Sequence, residues 1–340
     1  QISNEIIFFF KLKLKKFNKN NQYLNNVIVE NDKIFSFNNN KLLNFNYKTG
    51  ELTNIKEIKY LDNEKDILVS FKYLKNSFIL AFKSGDIIKI DINGKLIWKY
   101  KGDKILNTPI KILKEQIILL YVDEIKSISI EDGSVIWSET YQDSPFYQAK
   151  GGQLVNFLNI LFFILPNNQI GAIDFDLGSI HSSKFDEIKL ISSINNTKKK
   201  INIYENYLIY LDEGKYLYTF DIFSNDFILS KYNINSSSSK ILFNNAIISK
   251  EGNYLQAVNT MNGKTFWLIN DKKISKNALI IAVRNHKTNL EIFLNNGDIL
   301  IISNKELVEI KDMDVGKIKK ISFSKQKTIV YTERGKTIIF

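Results

Sequence analysis

Cysteine is absent, which removes disulfides, thiolate metal sites and cysteine nucleophiles from consideration at once. Histidine is almost absent too: His181 and His286 stand far apart, and neither has a His, Cys or paired carboxylate at ligand spacing, so each reads as a surface or turn residue. Proline occurs three times. No apolar run approaches the roughly 20 residues a membrane helix needs. Arginine is confined to Arg284 and Arg334, so the formal charge of +11 is carried by lysine. Arginine is the side chain suited to bidentate phosphate and base contacts, and lysine here is scattered among Asn, Ile and Phe. That pattern reads as a solvated lysine surface rather than a nucleic-acid interface. The runs Lys198–Lys200 and Ser236–Ser239 likewise read as a solvated loop and a flexible connector.

What is plentiful is β-prone apolar sequence punctuated by turns. Hydrophobic residues make up 44% and aromatics 13%, enough for a large core in a chain of 340 residues. The organising stretch is Asp91-Ile-Asn-Gly-Lys-Leu-Ile-Trp98, whose shape returns at Glu131–Trp137 and Thr260–Trp267. In each, Asn or Asp precedes Gly and Trp follows four residues later. Such a pair between apolar runs predicts a hairpin, with a type I′ turn that places both central residues at positive φ. Two apolar runs stand upstream of the turn, as Ser77–Phe82 and Asp86–Ile90 do for the first copy, so the unit is strand, turn, strand, turn, strand.

The turn recurs at Gly50, Gly94, Gly133 and Gly178, with spacings of 44, 39 and 45 residues, then near Asn225 and at Gly263. A period near 40 marks propeller blades, and copies that cannot bury their own apolar faces must stack. Trp98, Trp137 and Trp267 therefore read as plugs between neighbouring blades rather than as a stacking site for a sugar or quinone. The first and fourth copies hold Asn54 and Ser182 at the Trp position. The eighth copy, from Ile318 to Phe340, has three strands and lacks its fourth. Residues Glu5–Leu14, ending in apolar/Lys alternation, supply an orphan strand early in the chain. The expectation is one all-β domain over 1–340: an eight-bladed propeller of four-stranded antiparallel blades, its ring closed by residues 5–14 pairing with the blade at 318–340. Seven blades is the fallback.

The run ending Ile88-Lys-Ile-Asp91, followed by Asn93-Gly-Lys-Leu-Ile-Trp98 and echoed by Asn262-Gly-Lys-Thr-Phe-Trp267, resembles the repeat of the quinoprotein-type (PQQ-like) eight-bladed propellers. Among these, the BamB lipoproteins of the bacterial outer-membrane barrel-assembly machinery are nearest in size. The resemblance spans nearly the whole chain and implies a scaffold without cofactor, on the periplasmic face of the outer membrane of a Gram-negative bacterium. Its implied partners are the central barrel-assembly subunit and unfolded outer-membrane clients. The family's partner loop, apolar-x-apolar-basic-Gly, is matched after Trp137 by Pro145-Phe146-Tyr147-Gln148-Ala149-Lys150-Gly151. A second family patch carries two acidic residues one apart; Ser193 and Asn195 stand there, without carboxylates. Read as an ordinary blade connection, the loop from Pro145 to Gly152 would instead pack its aromatics inward.

No catalytic, cofactor-binding or metal constellation emerges. Lys150-Gly-Gly-Gln lacks the spacing of a phosphate loop. Asp123-Glu124 and Glu131-Asp132 fall at turns, where caps explain them. The alternatives are a PQQ-dependent dehydrogenase, which would need calcium and its acidic ligands, and a cytoplasmic propeller scaffold. Gln1 is not an initiator Met and no leader precedes it, so the expectation is a processed or truncated chain whose only membrane tie would be an N-terminal lipid anchor.

Overall fold

The computed structural model describes residues 10–11, 27–30, 33–47, 51–61, 66–106, 108–121, 123–140, 154–164, 170–178, 199–212, 216–223, 230–233, 239–324, 327–335 and 337–339. They form eight antiparallel sheets set in a ring, with no helix among them. Seven sheets have four strands and the fourth has three, Leu154–Phe157, Ile160–Ile164 and Ile170–Asp174. Each blade is a meander in chain order, as in blade 2: Leu68–Leu74, Ser77–Phe82, Ile87–Asp91 and Leu96–Tyr100. Blade 8 alone borrows a strand. Phe10–Lys11 lies antiparallel to Thr337–Ile339, with Phe10 opposite Ile339 and Lys11 opposite Ile338. The eight-bladed, strand-closed ring is therefore the observed architecture, and seven blades is set aside.

Position within a blade follows from burial. First strands of neighbouring blades touch one another directly, as Ser239–Phe243 and Ile280–His286 do, and they sit nearest the axis. Second strands are covered on both faces: every residue of Ser77–Phe82 is buried. Fourth strands face water, and Leu52–Glu57 has no fully buried residue. A strand sandwiched between two neighbours reads as a continuous apolar run, and an outer strand does not.

Eight buried apolar clusters lie at the eight blade interfaces, one each. The cluster that joins blade 8 to blade 1 brings Ile329, Tyr331 and Ile339 onto Val29, Ile34 and Phe45. There the Val27 amide also donates to the Tyr331 hydroxyl at 3.2 Å, across 304 residues of chain. Each fully buried side chain of this kind contributes about 1.5–3 kcal/mol relative to exposure. Burial is thus distributed around the ring rather than gathered in one centre.

The repeated Trp and Gly meet across these interfaces. Trp98 of blade 2 lies on Gly133 of blade 3, where an added Cβ would come within 2.8 Å of the indole; its Nε1 donates to Ile130 O at 3.0 Å. Trp137 repeats the contact on Gly178 and donates to Phe175 O at 2.9 Å. Trp267 packs, half-buried, on the cluster between blades 6 and 7. In blade 1, which lacks the Trp, Lys56 and Ile58 cover Gly94 instead. The Trp residues are interblade plugs. Gly50 lies outside the described residues.

One turn expectation is corrected. Gly94, Gly133 and Gly263 have φ of 80°, 76° and 66°, while their preceding Asn or Asp residues do not reach positive φ. Gly94 N bonds Asp91 O at 3.0 Å and Asp91 N bonds Lys95 O at 2.9 Å. At Gly94 that is a type I turn closed by a left-handed glycine, the three-residue hairpin loop; at Gly133 and Gly263 the closing bonds, Ser129 N to Ser134 O and Asn259 N to Lys264 O, enclose one residue more, and none of the three is the two-residue I′ turn. The extra residue accompanies a bulge opposite Trp98 and Trp137, which turns the indole toward the next blade. Positive φ at both central residues occurs instead at Asn39-Asn40, Lys75-Asn76 and Asn304-Lys305.

Candidate functional site

The residues matched to the family's partner loop, Phe146, Tyr147, Ala149, Lys150 and Gly151, lie outside the described residues, as do Ser193 and Asn195. The former follow Val135–Thr140, the last strand of blade 3, and the latter precede Lys199–Tyr204, the first strand of blade 5. His181 is also outside the described residues.

Two surfaces are built from the described residues, and the outer one is the rim. Each fourth strand ends its sheet, so one side of its backbone has no partner strand within the blade. These strands also expose large apolar side chains: Ile97 is 50% exposed, Ile136 46%, Leu268 60% and Val308 65%. Apolar side chains beside free strand edges are the elements that an extended polypeptide uses when it adds to a sheet.

The inner surface is the row of first strands, and here lysine is not scattered. Lys72, Lys111, Lys200, Lys240, Arg284 and Lys320 all sit on first strands. Lys200 is half-buried and its Nζ reaches Lys240 O at 3.3 Å, so Lys199 and Lys200 open a strand and are not a solvated loop. Ser239 is likewise structured: its hydroxyl accepts the Ile280 amide at 2.9 Å, while 236–238 lie outside the described residues. The signal was present in the sequence as basic residues at Lys200, Lys240, Arg284 and Lys320, spaced 40, 44 and 36 apart, close to the blade period.

Two buried carboxylates hold cations between blades. Glu124 does not cap a turn: it is buried, bound by Lys104 at 2.9 Å and Lys126 at 3.0 Å, and accepts the Ser138 hydroxyl. Burial pushes its carboxyl upward, but the Ser138, Lys104 and Lys126 hydrogen bonds outweigh that and hold it below the ordinary range. Lys126 also donates to the Tyr100 hydroxyl of blade 2 at 3.1 Å, so the group ties blade 2 to blade 3. In blade 7, Glu291 takes Arg284 Nε at 2.6 Å and faces His286 Nδ1 at 2.9 Å. Burial again pushes up and the His286 and Arg284 bonds pull down further. Arg284 lies 5.3 Å over both Phe293 and Phe323 and donates to Thr328 of blade 8 at 2.5 Å. Arg284, Glu291, Phe293, Val308 and Thr328 line a cleft of about 360 Å³. Asp132, by contrast, is an exposed turn carboxylate that accepts Ser134 N at 3.0 Å, as a cap should.

A quinone–calcium site needs acidic side chains gathered around one point. Among the described residues no three His, Cys, Asp or Glu are so placed.

No family model and no curated protein matches the sequence. Among solved structures, BamB from Moraxella catarrhalis superposes with a TM-score of 0.66 at 14% identity, over 92% of this chain and 95% of that one. Sqt1 from Saccharomyces cerevisiae gives 0.66 at 9% identity, over 98% and 97%. The computationally designed protein Ika8 gives 0.65 at 12%, over 92% and 94%. Identities this low speak to the fold, which these proteins share with the present chain along nearly its whole length.

Proposed function

We propose that this chain is a non-catalytic protein-interaction scaffold of the BamB kind, which holds partners against a rigid ring and assists assembly of outer-membrane β-barrel proteins. The observation that carries the reading is the rim, where open strand edges stand beside exposed Ile97, Ile136, Leu268 and Val308. A barrel precursor is a set of unpaired strands, and an open edge offers it backbone hydrogen bonds without demanding a particular sequence. The likeness in fold to BamB supports this choice among propeller roles. In this reading the loop of Tyr147 and Lys150 contacts the central barrel-assembly subunit, and the chain works at the periplasmic face of the outer membrane.

Capture of the barrel-assembly subunit by the immobilised chain is the test. Tyr147→Ala with Lys150→Glu should reduce capture by about tenfold, the loss of one aromatic and one charged anchor. No capture, or capture indifferent to both substitutions, would overturn the assignment. Stoichiometric binding of a quinone with calcium, followed by dye reduction on adding an alcohol, would replace it with an oxidoreductase.

A further inference from the structure

Charge separates the first strands from the rest of the ring. They hold Lys72, Lys111, Lys199, Lys200, Lys240, Arg284, Lys319 and Lys320 against a single carboxylate, Glu30. That surplus of seven lies on eight short strands of a chain whose whole net charge is +11. A solvated surface gives no reason for cations to collect on the strands nearest the axis.

Register brings six of them to one level. Measured back from the last paired residue before the first hairpin, Lys72, Lys111 and Arg284 are two residues away, Lys240 is three, and Lys200 and Lys320 are four. A strand rises about 3.3 Å per residue, so these residues form a belt about 7 Å tall on the inner strands, in which Arg284 is already held by Glu291 and Lys240 is buried. Lys72 and Lys320 are exposed to water although they stand on innermost strands. Lys111 stands on blade 3, next to Lys72 in blade 2, and Lys320 stands on blade 8, across blade 1 from Lys72. Crowding by the inner strands lowers the pKa of both, even for Lys320, whose side chain still reaches water, and the Lys72 charge lowers each further, so both lie within electrostatic reach of Lys72. Their contacts do not neutralise them: Lys111 donates to Leu154 O at 3.1 Å, and Lys320 lies 5.7 Å from the Tyr331 ring. Among the described residues no carboxylate pairs with Lys72, Lys111 or Lys320.

Cations that repel one another at short range in a confined space are stabilised by an anion placed between them. We propose that the axial opening binds a compact, multivalent phosphoryl anion, with Lys72, Lys111 and Lys320 as its point-charge donors. Lysine suits this task, because an ammonium on a flexible stem meets a phosphoryl oxygen from any direction, while bidentate pairing with a planar carboxylate is the province of arginine. The height of the belt favours a compact anion over a threaded acidic chain, which would need cations along the full depth of the opening. The site is independent of the rim and its partners.

The test is titration calorimetry of the full chain with sodium tripolyphosphate at about 0.15 M salt, where exposed charges are screened beyond about 8 Å. The expected result is one tripolyphosphate per chain. Affinity should fall at least about tenfold in the triple variant Lys72→Gln, Lys111→Gln, Lys320→Gln. It should hold within about twofold when Lys95→Gln, Lys264→Gln and Lys305→Gln remove the same charge from exposed turns. The first triple relieves repulsion, so its thermal midpoint should equal or exceed that of the parent, and tripolyphosphate should raise the midpoints of the parent and of the control triple but not that of the first triple. If the triple does not fold, Lys72→Gln alone should weaken binding by about threefold. Absence of saturable heat, equal losses in the two triples, or tighter binding of hexaglutamate than of tripolyphosphate would each overturn the proposal.

Discussion

The interface between blades 2 and 3 and the one between blades 5 and 6 join equivalent surfaces by different means. At the first, Trp98 caps Gly133 and eleven buried residues form the cluster. Both Trp98 and Lys89 donate to Ile130 O, at 3.0 and 2.8 Å. At the second there is no Trp, and among the described residues the cluster has four buried members, Ile209, Leu211, Leu217 and Ile247. Yet the corresponding carbonyl, Thr260 O, is still satisfied, by the buried Thr219 hydroxyl at 2.7 Å. Ile130, Phe175 and Thr260 each follow the last residue of a third strand, and all three carbonyls accept from the preceding blade. What the repeat preserves is therefore a buried acceptor that must be met, because leaving it unmet costs about 1–3 kcal/mol. Trp is one way to meet it, and also supplies a large apolar area.

The comparison can be broken at its stronger end first. Trp98→Ala removes the plug, exposes Gly133 and should cost about 3–5 kcal/mol, read as a fall in the urea midpoint without loss of the ring's far blades to limited proteolysis. A cost below about 1 kcal/mol would mean that the plug is not what joins these blades. Glu124→Gln leaves Lys104 and Lys126 facing each other at the same interface and should cost about 3 kcal/mol, the low end for breaking a buried pair, since Lys104 retains some water. Replacing Lys126 with Met in that background should recover part of the loss. At the weaker interface Thr219→Val keeps volume but removes the hydroxyl that donates to Thr260 O, and the expected cost is about 1 kcal/mol. A value matching Trp98→Ala would erase the proposed difference between the two joints.

The smallest effect is that of acid. Both Glu124 and Glu291 have folded pKa values below the ordinary 4.5, so their contribution is complete above that value and is lost as pH falls through the depressed folded values. Urea midpoints compared at pH 7 and about pH 3 should fall for the parent chain, and the drop should shrink in Glu124→Gln. An unchanged drop would assign acid sensitivity to other carboxylates.

The fold was legible because its signal repeats. One Asn-Gly turn proves little, but copies every 40 residues or so, with Trp at a constant offset, leave few architectures that can bury them. The closing strand was legible for a related reason: a last copy short of one strand and an early strand without a copy complete each other. The turn type was misread, since Asn-Gly serves both a two-residue I′ loop and a three-residue loop with glycine alone left-handed, and the bulge beside Trp98 selects the second. The sequence places Glu124 beside Asp123 at a turn and so suggests a cap, while Ser138 reaches it only through sheet pairing and Lys104 only from the connection between blades 2 and 3. The axial lysines were dismissed for being dispersed, and in a cyclic repeat a residue every 40 positions is dispersed in sequence and adjacent in space.

Local patterning by itself determined that this chain makes short strands, that they meander in groups of four, and that the groups must stack, because alternation and turn chemistry act over a few residues. Only the closed ring decided which carbonyl each Trp or Thr would meet, which carboxylates would be buried among lysines, and that cations far apart in the chain would come within electrostatic reach of one another. Those outcomes depend on distances set by blades meeting face to face, and no stretch of sequence contains both faces.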